Sequence, residues 1–537
     1  MADPLRHRSF LLVEDFEAMR SVLKRQLLRC GATRVDTAVN GADAVNLLRR
    51  TVYDVVMCDY NLGPGKNGQQ VLEEARQNGW IGPATVWLMI TAEKTNDMVS
   101  VAAEEAPDDY LLKPITESTL QARLLKLVER KATLSGIAAA VAKNDLRLAL
   151  RLCGEQLAAS TPCAAEVLRL QGQLHQRLGE WPMAKALYQT VLKRGPIPWA
   201  RLGLALVHLH QKDVATARTM LTETVRDHPQ YLEAYDCLAR LLAAEGEHAQ
   251  ELEILERAAT ISPNSPARQA ALGAAAMKQG QRDAAAAAFK RSMKLAEHSS
   301  IEHVDPFVGM AQLHSESGAP DEARKVLAEL TKRHDSVRAK ALAQAETVRA
   351  LHVAGDEAGA AQLAAELSGM VQDDGGQLTA DTALRIAEAL MASNQADGAT
   401  RMLEYVTRNN HDNELMLRRA QQVFDNAGMG EAGIELLAAA RRQATDAMSA
   451  GVLMMSRGDL KGALDSLRAA SRAMPRNARV LLNFAAVIVT CIEQQGRSAT
   501  LEDEARAAIA TAQALRPDDT RGADLLARLT KAGAPTA

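Results

Sequence analysis

A fixed period of 33–34 residues constrains this chain more than any other feature. Gly179, Lys212, Gly246 and Gly280 mark equivalent positions, spaced 33, 34 and 34 residues apart. A polar residue follows each: Glu180, Asp213, Glu247 and Gln281. A small side chain comes five residues after three of these positions, at Ala184, Ala217 and Ala285. A bulky one comes nine residues after all four, at Tyr188, Leu221, Leu255 and Phe289. Pro196, Pro229 and Pro263 stand seventeen residues after three of them. Repetition at such a period means one supersecondary unit stacked on copies of itself. The small residue marks a close helix crossing, the bulky one fills the space beside it, and proline ends one helix and starts the next.

The marks recur with looser spacing at Gly318 with Ala323, Gly355 with Ala360, and Asn394 with Ala399 and Leu403. Gly458 with Ala463, Leu467 and Pro475 is a good copy. Ala505, Ile509 and Pro517 close the series after an insertion near Gln494–Thr500. Glu251 and Gly433 depart from the small-residue slot. The pattern resembles the tetratricopeptide repeat. That resemblance implies an all-α solenoid of about ten antiparallel helix pairs over 133–530, clearest at 164–296.

Residues 9–131 follow a different rule. Short apolar runs (Phe10–Val13, Val52–Cys58, Ala84–Ile90, Asp109–Leu112), with Arg34–Thr37 as a further short strand, alternate with helical patterns at Phe16–Arg29, Gly41–Arg50, Gln69–Asn78, Thr95–Glu105 and Thr116–Arg130. Such alternation indicates βαβ units and a buried parallel sheet of five strands. No Pro/Gly/Ser-rich linker separates the halves, and the helix from Thr116 is expected to run into the repeats.

Chemistry concentrates at the expected strand ends. Glu14-Asp15 closes the first strand, Asp59 the third and Thr91 the fourth, and Lys113-Pro114 follows the fifth. The carboxyl ends of strands in an open parallel sheet form its ligand crevice. Three carboxylates in one crevice repel one another and suit a hard cation such as Mg²⁺. Asp59 is then placed as a nucleophile for phosphoryl transfer, with Lys113 and Thr91 available to the phosphoryl oxygens. Singly, a strand-end Asp is a turn residue and an acidic pair a helix start; in this order, at these strand ends, they form a site.

The set Glu14-Asp15, Asp59-Tyr60-Asn61, Thr91-Ala92 and Lys113-Pro114 is similar to the receiver domains of bacterial two-component response regulators, with the chemotaxis receiver a close match. The resemblance covers 9–131 and implies a flavodoxin-like sheet of order 2-1-3-4-5. It implies Asp59 as phosphoacceptor, Lys113 and Thr91 as its partners, and Tyr110 as an aromatic switch. It also implies Mg²⁺ held by Glu14, Asp15, Asp59 and the Asn61 carbonyl. A sensor histidine kinase or phosphotransfer protein would supply the phosphoryl group. Phosphorylation would reshape the face made by the fourth helix, fifth strand and fifth helix, a surface suited to homodimer formation and joined to the repeats. The loop Asn61–Gly68 is one residue longer than the common form.

In the repeats the resemblance implies a protein partner on the first helix of each pair: Glu166, Arg169, Gln173 and Gln176 in one repeat, Glu233, Asp236 and Arg240 in a later one. Trp199, Leu202, Leu206 and Leu209 occupy corresponding positions with apolar side chains. A formal net charge of −3 argues against a nucleic-acid role for the helical array. No HExxH, GxSxG or phosphate-binding glycine loop points to an enzyme, and a scaffold with an idle receiver is a further alternative. Six scattered cysteines read as buried free thiols, and the absence of a signal or membrane-length apolar window reads as a cytoplasmic protein.

Overall fold

The computed structural model describes residues 5–92, 107–373, 378–496, 498–516, 519 and 521–532. The helix expected at Thr95–Glu105, and Pro517, lie outside the described residues. The chain divides into two compact units, Met1–Pro306 and Phe307–Ala537.

The first unit begins with a parallel sheet of β1 (Ser9–Val13), β2 (Arg34–Ala38), β3 (Val55–Asp59), β4 (Val86–Thr91) and β5 (Asp109–Leu112), in the order β2-β1-β3-β4-β5. Helices α1 (Glu17–Arg29), α2 (Gly41–Arg50) and α3 (Gly68–Gln77) connect strands. Because strand side chains alternate between faces, each run feeds two cores. Phe10, Leu12, Val55, Met57, Leu88 and Ile90 pack under α1 and a later helix through Leu23, Leu27, Leu120 and Leu124. Leu11, Val13, Val56, Cys58, Trp87 and Met89 pack under α2 and α3 through Val45, Leu48, Val71 and Leu72. A sheet covered on both faces reads as near-continuous apolar strands. The far end of β3 is tied by Asp54, which accepts from Arg8 Nη1 (2.9 Å), Ser9 N (2.9 Å) and Ser9 Oγ (3.0 Å).

The helix that closes the sheet does not stop there. It runs from Glu117 to Ala142 without a break, capped at its start by Thr116, and is called the junction helix below. Leu146–Ala158 turns back on the end of the junction helix, and antiparallel helix pairs follow: Ala164–Arg177 with Trp181–Leu192, Pro198–His210 with Val214–Asp227, and so on to Pro266–Lys278 with Arg282–Leu295.

The repeat turns share one local geometry. Gly179, Gly246, Gly280, Gly318, Gly355 and Gly458 have φ between 69° and 82°, and Lys212 and Asn394 are left-handed too, at 62° and 56°. After each left-handed residue the next N–H reaches back five residues, as from Glu180 to His175 O (2.8 Å) and Asp213 to His208 O (2.9 Å). This is the Schellman arrangement, which satisfies the carbonyls left over at a helix end. Asn144, at φ 56°, is an earlier copy of the turn.

The bulky residues find glycines. The Tyr188 ring lies where a Cβ on Gly172 or Gly203 would come within 2.5 Å or 2.4 Å of it. Phe289 covers Gly273 in the same way, at 2.6 Å. Glu251, the exception in the small-residue slot, is buried and bonded to Lys278 and His248.

In the second unit the marks hold at Gly458, Ala463 and Leu467, which packs against Gly451. The frame breaks before it. Gly430–Ser456 is one unbroken helix of 27 residues. No glycine, proline or asparagine stands between Gly433 and Gly451 to end it. All six cysteines are free, and five are buried. No described helix is long and apolar enough to cross a membrane.

Candidate functional site

The sheet topology gathers the predicted groups at one edge. β1 and β3 run parallel in adjacent positions, so Glu14 and Asp15, just past β1, come beside Asp59 at the end of β3. One oxygen from each of Glu14, Asp15 and Asp59 lies within 4.8 Å of the others. Glu14 is 1% exposed and Asp59 6%, whereas Asp15 faces solvent. Lys113 follows β5, two strands from Asp59, and its length spans β4: Nζ donates to Asp59 Oδ2 at 2.8 Å. The same ammonium donates to Glu14 Oε2 at 2.8 Å and Oε1 at 3.2 Å.

The Lys113–Glu14 bond was not anticipated. Burial pushes the Glu14 carboxyl above the usual carboxylate range; the Lys113 hydrogen bond opposes that, and the neighbouring Asp59 charge adds to it. For Lys113, burial disfavours the charge, but hydrogen bonds to Asp59 and Glu14 outweigh it and hold the ammonium above its ordinary value. Arg20, one turn into α1, donates to the carbonyls of Glu14 (2.8 Å) and Asp15 (3.2 Å), fixing the acidic turn.

Thr91 is buried at the end of β4, paired in register with Leu112, and its carbonyl accepts from Lys113 N at 2.8 Å. The peptide Lys113-Pro114 is cis. Tyr110 is half-buried against the α2/α3 core, near Tyr60, and burial pushes its phenol up. Asn61 lies exposed in the turn after β3.

The loop from Asp59 to α3 is held at both ends. Gly68 N donates to Tyr60 O at 2.8 Å, and Lys66 pairs with Glu74 on α3. Asn67 and Gln70 form a capping box. Leu62 is buried.

A family model for the response regulator receiver domain matches residues 10–125. Over 125 residues the chain is 33% identical to Chemotaxis protein CheY-3 of Vibrio cholerae serotype O1, spanning 23% of this chain and 95% of that protein. The chain belongs to the response regulator receiver family. Chemotaxis protein CheY of Pseudomonas aeruginosa is 32% identical over 120 residues, 22% of this chain and 95% of that one. Among solved structures, chemotaxis response regulator CheY4 of Vibrio cholerae is 24% identical over 22% of this chain and 98% of its own, with a TM-score of 0.21. Tetratricopeptide-repeat models match residues 169–231, 213–266 and 276–346. The protein thus joins a flavodoxin-like receiver to an all-α array of tetratricopeptide repeats.

Most of the partner-facing residues expected in the repeats are engaged within the chain. Glu166 accepts from Arg130 of the junction helix through both oxygens, at 2.8 Å each. Arg169 donates to Glu233 (3.2 Å), and Gln176 to Gly203 O (3.0 Å). Asp236 accepts from Arg268 at 2.8 and 2.9 Å. Gln173 is exposed, and exposed Arg240 donates within its own helix, to Asp236 O. Leu202 and Leu206 share a groove of about 480 Å³ with Glu233, Asp236 and Arg240. Trp199 instead packs edge-on against Tyr188.

Proposed function

We propose that this protein is a phosphorylation-controlled response regulator, accepting a phosphoryl group on Asp59 and signalling through protein binding by its repeats. The observation that carries the reading is Lys113 Nζ at 2.8 Å from Asp59 Oδ2, beside the carboxylates of Glu14 and Asp15. An Asp59 carboxylate oxygen attacks phosphorus in line and forms an acyl phosphate. The bond to the donor breaks, and the donor nitrogen or oxygen leaves with its electron pair. The donor in the cell is a sensor histidine kinase or phosphotransfer protein.

The acidic set suits Mg²⁺: three carboxylates lie close enough to share one cation, with the Asn61 carbonyl on the adjoining turn. Bound there, Mg²⁺ supplies charge neutralisation for the incoming phosphoryl group. Lys113 then transfers from the Asp59 carboxylate to the phosphoryl oxygens, and the Thr91 hydroxyl donates to them. Tyr110 follows Thr91 inward and alters the face that includes β5 and the junction helix, which is also the surface for homodimer formation.

We assign 9–131 to the receiver and 133–530 to the repeats, whose output is binding rather than catalysis. The groove bearing Leu202, Leu206 and Arg240 is the part of the repeat surface offered to a partner protein. Incubation with Mg²⁺ and a small acyl phosphate, followed by intact mass measurement, tests the reading. A species heavier by one phosphoryl group is expected, and Asp59→Asn is expected to lack it.

A further inference from the structure

The helix that leaves the acceptor loop touches the repeats at a point far along the chain. Gln70, in the first turn of α3, donates from Nε2 to the carbonyl of Leu295 at 3.1 Å. One turn on, Glu73 Oε2 accepts from Ser299 Oγ at 3.2 Å. These contacts join residues 225 and 226 positions apart. Leu295 is the last residue of its helix, so its carbonyl has no partner within that helix, and Gln70 supplies one. Gln69 and Gln70 are 5% and 7% exposed, far less than glutamines at an open helix start.

The same helix is geared to the acceptor. A Cβ on Gly68 would lie 2.2 Å from the Asp59 main-chain oxygen, so the first residue of α3 sits directly on the acceptor's backbone. Gln70 also belongs to the cap: its Oε1 accepts from Asn67 N at 3.0 Å, and Asn67 Oδ1 accepts from Gln70 N at 2.9 Å. One side chain therefore ends the acceptor loop with its oxygen and holds the repeat helix with its nitrogen. The amide that holds the Leu295 carbonyl is thus tied directly to the end of the acceptor loop.

We propose that α3 is the receiver surface read by the repeats, and that Leu295–Ser299 is its intramolecular partner, released when the acceptor site is filled. The proposal rests on Asp59 being the acceptor, and it places a route to the repeats apart from the junction helix. Two hydrogen bonds make a contact that a modest coupling free energy opens. The other attachment, Arg130 with Glu166 and Lys131 with Asp108, is charged and bidentate or partly buried, and stays closed. Release then swings out the end of the first repeat block while its beginning remains docked. Reciprocity requires that opening the clasp favours occupancy of the acceptor site by the same factor by which occupancy favours opening.

The test uses the full-length chain with Mg²⁺ and beryllofluoride, a phosphoryl mimic. Bound fluoride is read by fluorine NMR and amide exchange by mass spectrometry. Exchange over 292–303 is expected to speed up roughly tenfold on beryllofluoride binding, in addition to any change on the face that bears the junction helix. In Ser299→Ala without beryllofluoride, exchange over 292–303 should already be several-fold faster, and beryllofluoride should bind several-fold more tightly. Bound fluoride with unaltered exchange over 292–303, or with changes confined to 117–142, overturns the clasp. Failure of beryllofluoride to bind overturns the acceptor reading itself, and the clasp's switching role with it.

Discussion

Gly68 lies directly against the main-chain oxygen of Asp59, with 2.2 Å left for any Cβ. The flanking atoms, Cys58 Sγ and Met89 Sδ, stand 3.0 Å from the same point, so nothing can yield cheaply. Gly68→Ala is therefore expected to destabilise the receiver by about 1–3 kcal/mol, as overpacking does. It should also slow phosphorylation of Asp59. Denaturant unfolding and intact mass after a timed acyl phosphate reaction measure the two effects. Unchanged stability would show that the α3 start is looser than described.

Lys113 is the cation for two buried carboxylates at once. Removing one partner of a buried pair costs about 3–5 kcal/mol. Lys113→Ala should therefore lower thermal stability markedly in chelator, and Mg²⁺ should restore most of it by replacing the lost charge. A melting temperature equally depressed with and without Mg²⁺ would contradict the placement of the metal among Glu14, Asp15 and Asp59.

Acid stability should depend on Asp54. Burial raises its carboxyl, but hydrogen bonds from Ser9 and Arg8 outweigh this and hold it below the usual carboxylate range. A carboxyl depressed in the folded state contributes stability above its unfolded value, near 3.9, and loses it as pH falls through the folded value. Asp54→Asn is accordingly expected to destabilise at pH 6–7 and to narrow its difference from the wild type below about pH 4. Urea midpoints at a series of pH values measure this.

The repeat turns separate residues that need glycine from those that do without it. Gly246→Ala, at φ 78°, should cost about 1 kcal/mol. Lys212→Ala, at φ 62°, should change stability by less than about 0.5 kcal/mol, because lysine already bears the left-handed strain. Equal effects at the two turns would contradict their common geometry.

The receiver was readable from sequence because its chemistry falls at strand ends and strand ends are marked by apolar runs. Asp59 and Thr91 are the last residues of β3 and β4, and Lys113 is the first after β5. The repeat turns were readable because a left-handed residue favours Gly or Asn. What pairs across the fold was not. Tyr188 announced a bulky position, but not that Gly172 and Gly203 face it. Glu166 was placed on a helix face, while its bond to Arg130 depends on how the junction helix meets the next pair. Gly433 was read as a repeat position, but not that its helix continues unbroken to Ser456.

The most direct measurement is site-resolved detection of phosphate after reaction of the intact chain with Mg²⁺ and acyl phosphate. Reduction of the acyl phosphate with borohydride and peptide mass spectrometry then locate it. The expected result is modification at Asp59 alone, dependent on Mg²⁺ and absent in Asp59→Asn. Unmodified Asp59, or label on another residue that persists in Asp59→Asn, would contradict the role assigned to this edge of the sheet.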